Sequence, residues 1–194
     1  MGTIKTTNIE TITGSGTLTL GQSGETISIP SGATLDLSNA TQTGVGGTNT
    51  PNFRAKIIAD TTFTTGTTTA VVFPSEDFDT ASAYDTSNGR FTIPTGQGGK
   101  YFIYCQLLVN AAAADQLQFC KIFLYKNGSQ YRNIHMNFAN NYITRTGFNL
   151  ATVENLSAGD YLQIYVYADD ASGNPDLYND STNPNFFGAY KIIE

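Results

Sequence analysis

The chain has 194 residues, of which 40% are hydrophobic, 12% aromatic and only 13% charged, and its formal charge is −6. Thr, Asn, Ser and Gly fill the place of the missing charge, which excludes helical bundles and coiled coils and points to strands and tight turns. With 16 acidic against 10 basic residues and no basic cluster, nucleic acid and membrane are not expected partners, and no apolar run reaches the ~18 residues of a bilayer span.

The N-terminal sequence MGTIKTTNIETITG lacks the apolar stretch of a secretory signal, so none is expected. Before Phe53 the chain has no aromatic residue; all 12 Phe and 11 Tyr follow. A segment without large side chains builds no conventional core by itself. It is nonetheless patterned. Leu18 and Leu20, Ile27 and Ile29, and Leu35 and Leu37 form apolar pairs, separated by glycines and small polar residues. Their recurrence at intervals of about eight or nine residues predicts a repeat of short strands and tight turns. Such strands bury their stripe only against other chains. Residues 1–40 are therefore expected to be a Thr/Gly-rich β-repeat stalk, with these six residues as the core of a trimer. Residues 41–52 lose the pairs and read as a hinge.

From residue 53 to 194 strand-like runs follow one another: FRAKII, TTAVVF, GRFTIP, KYFIYCQLLV, QLQFCKIFLY, YITRTGFNLATVE, DYLQIYVYA and FFGAYKII. Turn signals such as Lys126-Asn127-Gly128 and Ser157 to Asp160 separate them. Short strands and short turns over this length predict an all-β sandwich or jelly roll. In the run from Tyr161 to Ala168, Leu162, Ile164 and Val166 form a core face, and Tyr161, Gln163, Tyr165 and Tyr167 a polar-aromatic one. Tyr101, Ile103, Cys105 and Leu107 predict a second core face. Cys105 and Cys120 are either buried free thiols or a bridge between two strands expected to be antiparallel neighbours.

In this order along the chain, several segments resemble the globular C1q-like domain, whose jelly roll is shared with the tumour-necrosis-factor superfamily. They are Phe53-Arg54-Ala55, Val71-Val72-Phe73, Tyr84-Asp85, Gly89-Arg90-Phe91-Thr92-Ile93-Pro94, Gly99-Lys100-Tyr101-Phe102-Ile103-Tyr104, Leu156-Ser157-Ala158-Gly159-Asp160 and the closing Asn185-Phe186-Phe187-Gly188-Ala189-Tyr190. The segment ISIPSGATLDLSNAT resembles stretches of tailed-bacteriophage structural proteins. Together the resemblances imply a homotrimer with the stalk at its base and loops at the far tip. They imply a virion protein, assembled in the host cytoplasm and joined to other virion proteins through its stalk. The function they imply is a fibre or fibre tip recognising carbohydrate or protein on the host surface. The alternative is a capsid decoration protein or head fibre.

No enzyme is expected. His135 is the sole histidine and no G-x-S-x-G elbow accompanies it. The acids Glu76, Asp77 and Asp79 read as solvated turn residues. Asp170, Asp176 and Asp180 lie in an oxygen-rich stretch that hard calcium would accept, but their spacing matches no calcium loop and no cofactor is expected. Loops rich in Asn and Tyr supply adaptable contacts. On that ground Asn137, Asn140, Asn141, Tyr142, Tyr178, Asn179 and Phe186 are the receptor-binding candidates.

Overall fold

The computed structural model describes residues 23–36, 49–138, 142–179 and 185–192. The chain divides into two compact units, Met1–Val45 and Gly46–Glu194. Leu18, Leu20, Leu37, Asn140, Asn141 and Asp180 lie outside the described residues.

In the first unit, residues 23–36 contain two tight turns, at 23–24 and 31–32, and no strand. Gly24 and Gly32 occupy equivalent places in them, with φ of 88° and 83°. Ile27, Ile29 and Leu35 are exposed. The two turns lie eight residues apart.

Among the described residues the second unit is a two-sheet sandwich of thirteen strands. In chain order they are β1 (Asn52–Lys56), β2 (Thr61–Thr62), β3 (Thr69–Val71), β4 (Ser75–Asp79), β5 (Tyr84–Asp85), β6 (Arg90–Thr92), β7 (Gly99–Asn110), β8 (Leu117–Lys126), β9 (Ser129–Asn137), β10 (Arg145–Leu156), β11 (Tyr161–Asp170), β12 (Asp176–Leu177) and β13 (Phe186–Lys191). In the first sheet β7 pairs with β10 on one side and with β13 and β12 on the other, continuing to β1, β2 and β4. The second sheet runs β5, β6, β11, β8, β9, with β3 also on β11.

Strict alternation explains the core. Tyr101, Ile103, Cys105 and Leu107 of β7 point inward and are buried, as are Leu162, Ile164 and Val166 of β11. Phe53 joins the two sheets: its ring stacks on Phe91 at 4.4 Å and on Tyr84 at 4.8 Å, and meets Phe187 edge-on at 5.0 Å. At one open side β10 and β9 are tied by Glu154, which accepts hydrogen bonds from the Tyr131 hydroxyl at 2.7 Å and from Arg132 Nε at 2.8 Å.

Three expectations are corrected. Cys105 and Cys120 are not on neighbouring strands; β7 and β8 belong to opposite sheets, and both thiols are buried and free. The acidic segment SEDFD is no turn but the edge strand β4. There Asp77 pairs with Arg54 at 2.7 Å and Lys56 at 2.6 Å across β1, so charge covers a sheet edge. Finally β9, absent from the predicted runs, forms a hairpin with β8 through Asn127-Gly128.

Candidate functional site

The two ends of the sandwich differ. Strand β1 begins at Asn52, which pairs with Tyr190, itself paired with Phe102 near the start of β7. At the other end of β7, Asn110 pairs with Arg145 and Asp176. Roughly eight residues of extended chain put these ends about 26 Å apart. The loops at 111–116 and 171–175, together with residues 138 and 142–144, belong to the end away from the start of β1.

At that end a cleft of about 350 Å³ is lined by Gln118, Phe119, Asn137, Tyr142 and Asp169. Its floor is set by register. Phe119 of β8 lies between Asn137 of β9 and Asp169 of β11. The pairing of β11 with β8 then skips a residue: Asp169 faces Phe119, and Asp170 faces Leu117. Gln118 is thus the extra residue of a bulge. It stands half-buried beside Phe119 while Leu117 stays in the core. Tyr142 is 41% exposed and precedes Ile143, whose bridge to Leu117 fixes the loop's return.

The two consecutive acids at the end of β11 do different things. Asp170 turns inward, and its carboxylate accepts from Ala112 N at 2.9 Å and from Ser172 N and Oγ at 2.8 Å each. It staples two end loops together. Asp169 faces the cleft, where its Oδ1 accepts the Tyr167 hydroxyl at 2.7 Å. That hydrogen bond, with some burial, raises the Tyr167 pKa above the ordinary phenol value. Lys121 Nζ lies 5.2 Å from the Phe119 ring centre, and the His135 ring is 6.0 Å from it. Burial pushes the Cys120 thiol up to about 12 and the Cys105 thiol higher still, so neither is a poised nucleophile.

Of the sequence candidates, the structure brings Asn137 and Tyr142 together in this cleft. Tyr178 and Asn179 lie at the same end but on the other sheet: Arg145 covers the Tyr178 ring at 3.6 Å, and Asn179 N donates to Asp60 Oδ1 at 2.7 Å. Phe186 sits further down that sheet, against Tyr104 and Arg54. Asp176 accepts from Asn110 Nδ2 at 3.2 Å, and burial raises its pKa. Among the described residues no group of three or more His, Cys, Asp or Glu side chains is placed to hold a metal ion. Gln118 and Phe119 escaped sequence reasoning, and Asp169 was read only as part of the oxygen-rich acidic stretch. A bulge leaves no mark in an apolar run, and of two adjacent acids nothing in the sequence says which faces out.

The outer face of the first sheet carries a second feature. Phe102 packs against Tyr104 at 5.9 Å and Tyr190 at 5.4 Å, and Tyr104 meets Phe186 at 5.9 Å. A Cβ at Gly188 would collide with the Tyr104 ring, so the glycine of the closing strand lets that ring lie flat on the sheet. Beside it runs a groove of about 470 Å³, lined among others by Phe78, Tyr104 and Tyr190.

No family model matches the chain. No curated protein matches it either. Among solved structures it is similar to the globular domain of zebrafish complement 1qA protein, at 14% identity and a TM-score of 0.51, over 74% of this chain and 98% of that one. It is also similar to murine APRIL at pH 5.0, at 14% identity and a TM-score of 0.52, over 73% of this chain and 98% of that one. The fold is a C1q/TNF-like jelly roll. Likeness at this identity carries the architecture of the C1q/TNF-like domain and leaves its use in this chain to the site.

Proposed function

We propose that this chain is the subunit of a homotrimeric virion appendage, a phage fibre or fibre tip that recognises the host cell surface by binding and not by catalysis. The observation that carries this reading is the position of the Phe119–Tyr142 cleft, at the end of the sandwich away from the start of β1. A chain that enters the domain at one end and offers a recessed aromatic and polar surface at the other is built to present it. The aromatic outer face of the first sheet, with Phe102, Tyr104, Phe186 and Tyr190, supports assembly, because contiguous aromatic patches mark protein interfaces. The resemblance of residues 27–41 to phage structural segments supports the virion setting. Exposed Ile27, Ile29 and Leu35 support a stalk shared between chains that joins the head to other virion proteins. Three copies of one weak site on a rigid head would add avidity.

The test is adsorption to host cells of particles carrying Phe119→Ala with Tyr142→Ala, trimer assembly being checked separately. Adsorption should fall while particles assemble normally. Normal adsorption with altered particle stability would instead place the protein on the capsid as a decoration.

A further inference from the structure

We propose that the cleft between Phe119 and Tyr142 binds a neutral pyranose sugar, with the Asp169 carboxylate as its principal hydroxyl acceptor. The inference rests on the recognition reading above and names the ligand class of the same site. A cleft of about 350 Å³ lies at the small end of the ~300–1,000 Å³ typical of small-ligand sites, which suits one ring rather than an extended peptide. Its lining has two kinds of chemistry. Phe119 and Tyr142 are its two aromatic residues, and the negative quadrupole of an aromatic face attracts the polarised C–H groups on one side of a pyranose. Asp169, Gln118 and Asn137 supply the polar edge. A carboxylate offers roughly four acceptor sites, and the Tyr167 hydroxyl takes one of them, while amides both donate and accept. Sugar hydroxyls need that mixture, since each is donor and acceptor at once.

The polar edge is fixed before any ligand arrives. Gln118 and Phe119 are held side by side by the bulge in β8, and Asp169 is oriented by Tyr167 from its own strand. Placing these groups on strands instead of loops reduces the ordering lost on binding. Charge then selects among sugars. An anionic sugar would bring its carboxylate against Asp169 in a chain of net charge −6. The Lys121 ammonium, 5.2 Å from the Phe119 ring centre, would attract an anion and offsets part of that repulsion, which a neutral ring avoids altogether.

The purified full chain is titrated with the methyl glycosides of glucose, galactose, mannose and N-acetylglucosamine, and saturation transfer from protein to sugar protons is read by NMR. Methyl glucuronide and N-acetylneuraminic acid serve as anionic comparators. Transfer to the ring C–H protons of at least one neutral sugar is expected. Tyr142→Ala should abolish it and Tyr142→Phe should keep it. Asp169→Asn, which still accepts the Tyr167 hydroxyl, should weaken binding at least about fivefold, as loss of a hydrogen bond to a charged group requires. Transfer to the anionic comparators alone, to no sugar, or equally to Tyr142→Ala overturns the proposal. The same variants measured for host adsorption separate the two readings. Lost adsorption without sugar binding overturns the sugar and leaves host recognition standing. Sugar binding with unchanged adsorption keeps the sugar site and overturns host recognition.

Discussion

Ile164 and Ile27 are the same residue in two strand-like runs of similar alternation, yet Ile164 is fully buried and Ile27 is 58% exposed. The difference is supply of neighbours. Strand β11 has β8 along one side and β6 and β3 along the other, and a facing sheet covers it. Residues 23–36 contain two turns and, among the described residues, no strand. Alternation thus specifies which face is apolar, and chain composition decides whether one copy is enough to bury it. The head has the Phe and Tyr to close its own core; the proposed trimeric stalk would bury its apolar stripe only against other copies.

The largest expected effect breaks the repeat without touching the head. Ile29→Ala with Leu35→Ala removes apolar volume from every chain of an assembled stalk. At ~2–5 kcal/mol for each buried residue, repeated in three chains, the stalk should lose its protease resistance while the head keeps its melting transition. Unchanged resistance would mean that the exposed pairs stay exposed. In the head, Phe53→Ala should act within a single chain. It empties the ring cluster with Tyr84, Phe91 and Phe187 and should lower stability by about 3–5 kcal/mol, read by chemical denaturation.

A smaller effect separates side-chain ties from core packing. Glu154 is buried, whereas its partner Arg132 is half exposed. Glu154→Gln keeps the shape and loses the charge. It should destabilise by about 1–2 kcal/mol, because the hydrogen bonds from Tyr131 and Arg132 weaken without a cavity opening. A loss as large as that of Phe53→Ala would make the tie part of the core.

The smallest effect is a pH dependence confined to the head. Burial works to raise the Asp160 pKa, but Lys126, the Asn127 amide and the Ser157 N–H outweigh it and bring the carboxyl from 3.8 down to about 2. The folded state therefore binds fewer protons than the unfolded one between those values. The stabilisation is fully present above the unfolded pKa and is lost as pH falls through the folded one. Asp77, with Lys56 and Arg54 beside it, is lowered in the same direction. Asp160→Asn should flatten the acid limb of head stability between about pH 4 and about pH 2, and melting profiles across that range would show it.

The long strands β7, β8, β10, β11 and β13 were legible because each is an apolar run bounded by turn residues. Strand β9 was not, since it lies at the sheet edge, is exposed along much of its length, and carries Arg132, Asn133 and His135 without apolar alternation. Strand β4 hid for the same reason, its acids serving an edge instead of a turn. The expectation that Cys105 and Cys120 sit on neighbouring strands failed because adjacency in sequence does not say when a chain crosses between sheets. At the site, Asn137 and Tyr142 were legible from loop chemistry, while Phe119 and Asp169 depend on a register and a bulge that only the three-dimensional pairing defines. Tyr178 and Phe186 share the loop composition and lie on the other sheet, so composition gathered residues that the fold separates.

The proposed homotrimer is tested most directly by sedimentation equilibrium of the full chain at micromolar concentration. The account predicts a single species of three chains. A stable monomer under those conditions would contradict it.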